Sequence, residues 1–95
     1  MKDKKLKRIS HIIIKDANPK RIILFGSRAK GNYTESADYD LAIDSDKISF
    51  RDKRKLIDKI EDVIGLHSVD LVYLKEIDSK FRKIILGTGK VIYER

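Results

Sequence analysis

The chain has 95 residues, a formal charge of +7 and no cysteine. This length predicts a single domain over residues 1–95 with a thin core. The lack of cysteine excludes disulfides and thiolate metal sites or nucleophiles. The apolar runs are too short to span a bilayer, and no signal-peptide pattern follows the basic N-terminus. We therefore expect a soluble, cytoplasmic domain without a membrane partner.

The positive charge favours a polyanionic partner. The 22 basic residues are interleaved with 15 acidic ones, as on solvated helix faces. A nucleoside triphosphate satisfies such a charge as well as nucleic acid does. Because no basic stripe rich in aromatic residues is present, direct nucleic-acid binding is not expected; if it occurred, it would weaken steeply with salt.

Apolar spacing, caps and breakers predict alternating helices and strands. The fold class is therefore α/β, or α+β, with a small mixed sheet of three to four strands packed with helices. In chain order we expect a helix over 4–17, a strand over 21–25, a short helix or turn over 27–31, a strand over 38–44, a helix over 49–65, a strand over 68–74, a helix closed by Gly87 and an edge strand over 90–93.

The strand over 38–44 carries aspartates where aspartate is rare. Alternation places Asp38 and Asp40 on one face, with Ala42 next to them and small enough to leave room for a ligand. Two neighbouring carboxylates need either solvent or a cation, and Mg²⁺ prefers such oxygen ligands together with substrate phosphates. Taken alone, the pair also fits a solvent-facing edge strand.

A third aspartate makes the metal interpretation stronger. Asp70 interrupts the apolar run of the strand over 68–74. Suppose that this strand lies beside the strand over 38–44 and that Asp70 faces the same side of the sheet as Asp38 and Asp40. Three carboxylates then converge and can hold two cations for nucleotidyl or phosphoryl transfer. Asp44 and Asp46 are weaker candidates, since they lie where the strand runs out into a loop.

A Gly-Ser turn follows the first strand. At such a strand-to-helix turn, backbone N–H groups face an anion, and Gly26 lets a phosphate approach the main chain. Ser27 adds a hydroxyl, while Arg28 and Lys30 add positive charge. Gly26 and Gly31 have the spacing of the two glycines of a P-loop, but the Lys-Ser/Thr that must follow the second glycine is absent. The serine alone is weak evidence, because any helix can begin at a serine.

Three further residues are weaker candidates for a functional role. Tyr33, in the polar loop over 32–37, is a base-stacking candidate. His11 and His67 have no partner at metal-ligand spacing.

Taken together, the segments "GSRAKG", "SADYDLAID" and "VDLV" resemble the minimal nucleotidyltransferases of the DNA polymerase β superfamily, including the antitoxins of HEPN/MNT toxin–antitoxin pairs. The pattern of that superfamily is a hydrophobic residue, Gly, then Gly or Ser, a spacer of about ten residues, Asp-hydrophobic-Asp-hydrophobic, and a later Asp on another strand. The closing "GTGKVIYER" also looks like the family's last strand, so the likeness spans essentially the whole chain. Ala37 stands where serine is usual, but that serine is not a metal ligand.

The resemblance implies a nucleotidyltransferase fold, similar to the palm of polymerase β, and it implies roles for these residues. Asp38 and Asp40 would bind two Mg²⁺ ions, and Asp70 would complete the first metal site and accept a proton. Gly26 and Ser27 would hold the β and γ phosphates of ATP, and Arg28 and Lys30 would balance the triphosphate charge.

It also implies partners. A chain without a second substrate-gripping domain is expected to act in a complex with a HEPN-type toxin, as a homo-oligomer, or both. The first hypothesis is an antitoxin enzyme that transfers AMP to a tyrosine of that toxin. The alternative is a non-catalytic antitoxin that neutralises the toxin by occlusion.

Overall fold

The structure, a computed structural model, describes residues 3–46, 48–65 and 68–95. It confirms the predicted alternation of helix and strand. The elements are α1 (Lys4–Ala17), β1 (Arg21–Phe25), α2 (Ser27–Lys30), β2 (Tyr39–Asp44), α3 (Phe50–Ile64), β3 (Val69–Tyr73), α4 (Ser79–Thr88) and β4 (Lys90–Glu94).

The strands form one mixed sheet in the order β3-β2-β1-β4. β1 pairs antiparallel with β2 and with β4, whereas β2 and β3 are parallel. A parallel pair needs a crossover, and α3 supplies it. β4 pairs only with β1, at one edge of the described sheet, as predicted.

The sheet has a thickly covered face and a thinly covered one. On the first face α1 and α3 bury alternate strand residues, because their own apolar positions recur at helical spacing. On the other face α4 covers the middle of the sheet, where Ile85 is fully buried against Ile23 and Leu74. The members of the larger core include Leu6, Ile9, Ile13, Ile22, Leu41, Leu56, Ile60, Ile64 and Leu71.

Side-chain caps fix where the helices begin. Asp3 accepts a hydrogen bond from the Leu6 amide at the start of α1, and Ser49 accepts one from the Asp52 amide at the start of α3. Each cap satisfies an amide that has no partner within its helix.

The predicted end of α4 at Gly87 is wrong, because the helix continues to Thr88 and its cap is Gly89. The Gly89 amide donates to the Ile85 carbonyl, so the last turn closes two residues later. Gly89 is also required because no space is available for a side chain: a Cβ there would lie 2.6 Å from Cγ2 of Ile23.

Within the described residues, no helix has the length and apolar character needed to cross a membrane.

Candidate active site

The Gly-Ser turn lies between β1 and α2. Gly26 caps α2 with φ 73° and ψ −154°, a backbone conformation that is essentially restricted to glycine. Ser27 is the exposed first residue of α2. The turn is therefore open to solvent and its conformation excludes a side chain at position 26.

The structure brings the predicted aspartates together. Asp40 on β2 and Asp70 on β3 are direct partners in the parallel register, so both side chains emerge on the α4 face of the sheet. Asp38 is exposed just before β2, and its carboxylate accepts a hydrogen bond from the Ser68 hydroxyl. The conditions set by the sequence, adjacent strands and matched parity, are both met.

Asp40 also meets the Gly-Ser turn. It is the antiparallel partner of Phe25, the residue before Gly26. A Cβ built on Gly26 would lie only 2.3 Å from Oδ2 of Asp40. The carboxylate thus occupies the space that a side chain at Gly26 would fill, and the turn and the carboxylates form one site.

The electrostatics of this site favour a cation. Burial raises the pKa of Asp40 above its usual value, and the negative charges of Asp70 and Asp38 raise the pKa further. In the described part of the chain, no three His, Cys, Asp or Glu side chains are arranged to hold a metal ion by themselves. The donor chemistry nevertheless fits Mg²⁺, which is usually bound by one or two carboxylates together with substrate phosphates.

Two other aspartates and one alanine lie outside the site. Asp44 pairs with Arg21, with 3.1 Å between Oδ2 and Nη2, and Asp46 pairs with Lys75 at 2.9 Å. Ala42 has no exposed surface, because α4 covers it. The expectation that Ala42 leaves room for a ligand is therefore wrong.

Arg28 points away from the place expected for a triphosphate. Its side chain is 6% exposed. Its guanidinium donates to the carbonyl oxygens of Ala37 at 3.1 Å and Glu35 at 3.0 Å. The predicted phosphate contact does not fit this orientation, because the charged group is directed into the polar loop. Lys30 is exposed at the end of α2, and its role stays a prediction.

The Arg28 guanidinium also contacts two tyrosine rings and Asp3, the residue that caps α1. The Arg28 guanidinium carbon lies 3.9 Å from the Tyr39 ring centroid and 4.7 Å from that of Tyr33. Asp3 lies 3.5 Å from Nη1 of Arg28 and accepts the Tyr39 hydroxyl at 3.1 Å. Burial, and then the hydrogen bond to Asp3, raise the pKa of Tyr39 to about 12.

Sequence reasoning missed Asp3 and Ser68. An acidic residue just before a helical pattern is a capping signal, so the first role of Asp3 was detectable, but its contacts with Arg28 and Tyr39 were not. Tyr33 stacks on Arg28 and is 47% exposed, so its role with a base stays a prediction. His11 is exposed on α1, and His67 lies outside the described residues.

Comparison with known sequences identifies related proteins. The profile of the family described as "Polymerase beta, Nucleotidyltransferase" matches residues 7–95. Two Methanocaldococcus jannaschii proteins, each named "Putative protein adenylyltransferase", are similar to this chain. One is 39% identical over 75 residues, which cover 75% of this chain and 74% of that protein. The other is 37% identical over 79 residues, 78% of this chain and 78% of that protein.

Solved structures share the fold. A chain of a toxin–antitoxin structure with AMP-PNP superposes with a TM-score of 0.76 at 23% identity, over 100% of this chain and 75% of that one. A chain of the structure described as tri-AMPylated Shewanella oneidensis HEPN toxin in complex with MNT antitoxin has a TM-score of 0.76 at 20% identity, over 96% of this chain and 71% of that one. At these identities the likeness concerns the fold alone.

Proposed function

Because the chain belongs to the polymerase β nucleotidyltransferase family and is thus a nucleotidyltransferase, we propose that it transfers AMP from ATP to a protein hydroxyl. The names of the two archaeal relatives support a protein acceptor. The tri-AMPylated HEPN toxin in complex with an MNT antitoxin, in a structural neighbour, supports a HEPN-type toxin as that acceptor. The family resemblance implies that the hydroxyl is that of a tyrosine. In this proposal the chain is the antitoxin of such a pair.

One observation carries the proposal: the carboxylate of Asp40 lies both against Gly26 and beside Asp70. A phosphate-binding turn and an acidic cluster could each be incidental in a small protein. Their contact supports the proposal, because nucleotidyl transfer needs an anion site and a cation site close together.

Asp38, Asp40 and Asp70 would hold two divalent cations. When bound, such ions neutralise the triphosphate charge and act as Lewis acids on its oxygens. The backbone of Gly26 and the hydroxyl of Ser27 bind the β and γ phosphates, and this orients the α phosphorus.

Asp70 accepts the proton of the acceptor hydroxyl. The hydroxyl oxygen forms a bond to the α phosphorus, the bond from that phosphorus to the bridging oxygen breaks, and pyrophosphate leaves. Asp70 suits this role because it is exposed, whereas Asp40 is half-buried.

The test is transfer of label from ATP to the partner toxin in the presence of Mg²⁺. Since the cation site supplies several kcal/mol, Asp40→Asn should reduce transfer by about a thousandfold or more. Asp44→Asn is the matched control, because Asp44 is on the same strand and the same face but pairs with Arg21 instead. Equal loss in both variants, or full transfer by Asp40→Asn, contradicts the assignment.

Occlusion without catalysis is the second candidate. It is favoured by a structural neighbour in which an MNT antitoxin is bound in a complex with a HEPN toxin. If the Asp38→Asn/Asp40→Asn double variant still neutralises the toxin completely, occlusion replaces transfer as the proposed function. Neutralisation that requires ATP and is lost in the double variant supports transfer.

A further inference from the structure

We propose that Arg28 is a positioning residue: its guanidinium ties the connection between α2 and β2, loop 31–38, to α2 and thereby sets where Asp38 and Asp40 lie relative to the Gly26-Ser27 turn. Its catalytic consequence rests on the proposed function, whereas its structural consequence does not. The proposal gives this cation a role other than phosphate binding.

The contacts of Arg28 flank both carboxylates. Nε donates to the carbonyl of Ala37, the residue directly before Asp38. The guanidinium also lies on the ring of Tyr39, the residue between Asp38 and Asp40. Any movement of the guanidinium therefore acts on the backbone that carries both carboxylates.

The other end of the link is the phosphate-binding turn. Arg28 is the second residue of α2, directly after Ser27. One side chain thus spans the 26–27 turn and the 37–40 segment, which the sequence separates by a polar loop. The geometry between them is fixed by this side chain as well as by the pairing of β1 with β2.

The loop has few other restraints. Residues 31–36 are all exposed. Among the described contacts, loop 31–38 is otherwise held by four hydrogen bonds. The Gly31 amide donates to the Ser27 carbonyl and the Ala37 amide to the Thr34 carbonyl, both at 3.1 Å, the Thr34 and Ser36 hydroxyls are bonded to each other, and the Ser68 hydroxyl donates to Asp38. Exposed hydrogen bonds of this kind open readily, so the buried guanidinium is the main restraint on the loop.

Lysine cannot replace this arginine. The guanidinium is planar, stacks on aromatic faces and donates to two carbonyls in a fixed geometry, whereas an ammonium is a strongly hydrated point charge. Asp3 balances the buried charge from the start of α1. Arg28→Lys therefore keeps the charge and removes the positioning, which separates the two roles.

The first test measures hydrogen exchange at the Ala37 amide, without nucleotide or partner. Arg28→Lys should accelerate exchange about tenfold or more. The matched control is Arg21→Lys, because Arg21 also pairs with an aspartate but at the far end of β1. Unchanged exchange in a folded Arg28→Lys variant overturns the proposal.

A second variant guards against misfolding. Tyr33 is 47% exposed, so Tyr33→Leu should leave the fold intact while it removes one aromatic face from the guanidinium. Exchange at Ala37 should again accelerate, by a smaller factor than in Arg28→Lys. If Tyr33→Leu and Arg28→Lys both leave exchange unchanged, the loop is held by other contacts.

The kinetic test separates positioning from phosphate binding. A small misplacement of catalytic groups costs about a hundredfold in kcat, and KM for ATP should change by less than about threefold. A large rise in KM for ATP with kcat preserved would assign Arg28 to the triphosphate instead. Added guanidinium should restore part of the kcat of Arg28→Ala. If the unaltered protein transfers no label, the proposed function fails, and the exchange experiment still decides the role of Arg28.

Discussion

Three effects disfavour the charged form of the Asp40 carboxyl group. Burial, the charge of Asp70 and the charge of Asp38 all raise its pKa from the ordinary value of 3.8. Since the folded chain then binds this proton more tightly than the unfolded chain does, the free energy of unfolding falls as the pH rises through the raised pKa. The carboxylate that we propose as a metal ligand thus weakens the metal-free fold near neutral pH.

Asp40→Asn should therefore be more stable than the unaltered protein at neutral pH without metal. The expected gain is about 1 kcal/mol or less, a rise of a few degrees in Tm. The difference should shrink as the pH falls below about 4, where the unaltered carboxyl is protonated in both states. Thermal unfolding at several pH values measures it, and a variant less stable than the original at neutral pH contradicts this account.

Gly26→Ala should damage both stability and transfer. The new Cβ would meet Asp40 Oδ2 at 2.3 Å in a backbone conformation that costs about 1–3 kcal/mol for a residue other than glycine. Gly31→Ala is the control, because Gly31 also has a positive φ, of 83°, but no atom lies within 4 Å of its Cβ position. We expect its cost to be about 1 kcal/mol, with transfer largely kept. Chemical denaturation compares the two, and equal losses would remove the Asp40 contact as the cause.

Two buried tyrosines offer a matched comparison. The Tyr39 hydroxyl donates to Asp3, whereas among the described residues the Tyr73 hydroxyl is buried without a hydrogen-bond partner. Tyr39→Phe should lower the free energy of unfolding by about 1.5 kcal/mol, and Tyr73→Phe should be neutral or stabilising. Denaturant titration of both variants checks the order, and the reverse order would be inconsistent with these contacts.

For single residues, the sequence predicts the chemistry of a side chain better than the direction in which that side chain points. The aspartates and the Gly-Ser turn were recognisable because rare residues stood at regular spacing. The orientation of Arg28 was not, since a sequence gives its charge but not that Glu35, Ala37 and two tyrosine rings enclose it.

At the scale of elements, the end of α4 shows how tertiary contact decides between two glycines. Gly87 and Gly89 are equally good helix terminators by sequence. The helix ends at Gly89, where the chain passes so close to β1 that a Cβ would lie 3.0 Å from the Leu24 carbonyl oxygen. Local pattern therefore predicts the helix, and packing against the sheet determines its last residue.

This difference gives opposite effects for the same substitution. Gly87→Ala should stabilise the protein by up to about 1 kcal/mol, because Gly87 is inside the helix and no atom lies within 4 Å of its Cβ position. Gly89→Ala should destabilise it, because its Cβ would overlap Ile23 and the Ile85 carbonyl at 2.6 Å. Thermal unfolding measures both, and two changes of the same sign would contradict the observed helix end.

The convergence of the carboxylates also belongs to this scale. Alternation along one strand places Asp38 and Asp40 on one face from sequence alone. The match of Asp40 with Asp70 depends on register between strands, which is set by the α3 crossover and the core beneath it. A shift of one residue would have turned Asp70 into that core, so pattern alone left this part conditional.

For the whole molecule, the proposed site predicts a stability that depends on its ligands. Mg²⁺ with ATP should raise Tm, since ligand at a hundred times its dissociation constant adds about 2.7 kcal/mol to the free energy of unfolding. The shift should vanish with EDTA and in Asp40→Asn. A thermal shift assay measures it, and an equal shift in Asp40→Asn would place ATP elsewhere.

The alternating fold was predictable as a whole because each apolar pattern, cap and breaker acts locally. The mixed strand order β3-β2-β1-β4 was not fixed by those local signals, because it depends on contacts distant in sequence. It is this order that sets the carboxylates of β2 and β3 beside each other.

β3 is an edge strand of the described sheet, and it carries Asp70. The outermost carboxylate of the site therefore has strand neighbours on one side alone in the part of the chain that the structure describes. A folded macromolecule can present a side chain to Asp70 laterally, and β3 need not open for it. In the proposed reaction, the protein acceptor would therefore approach Asp70 from this open side of the sheet.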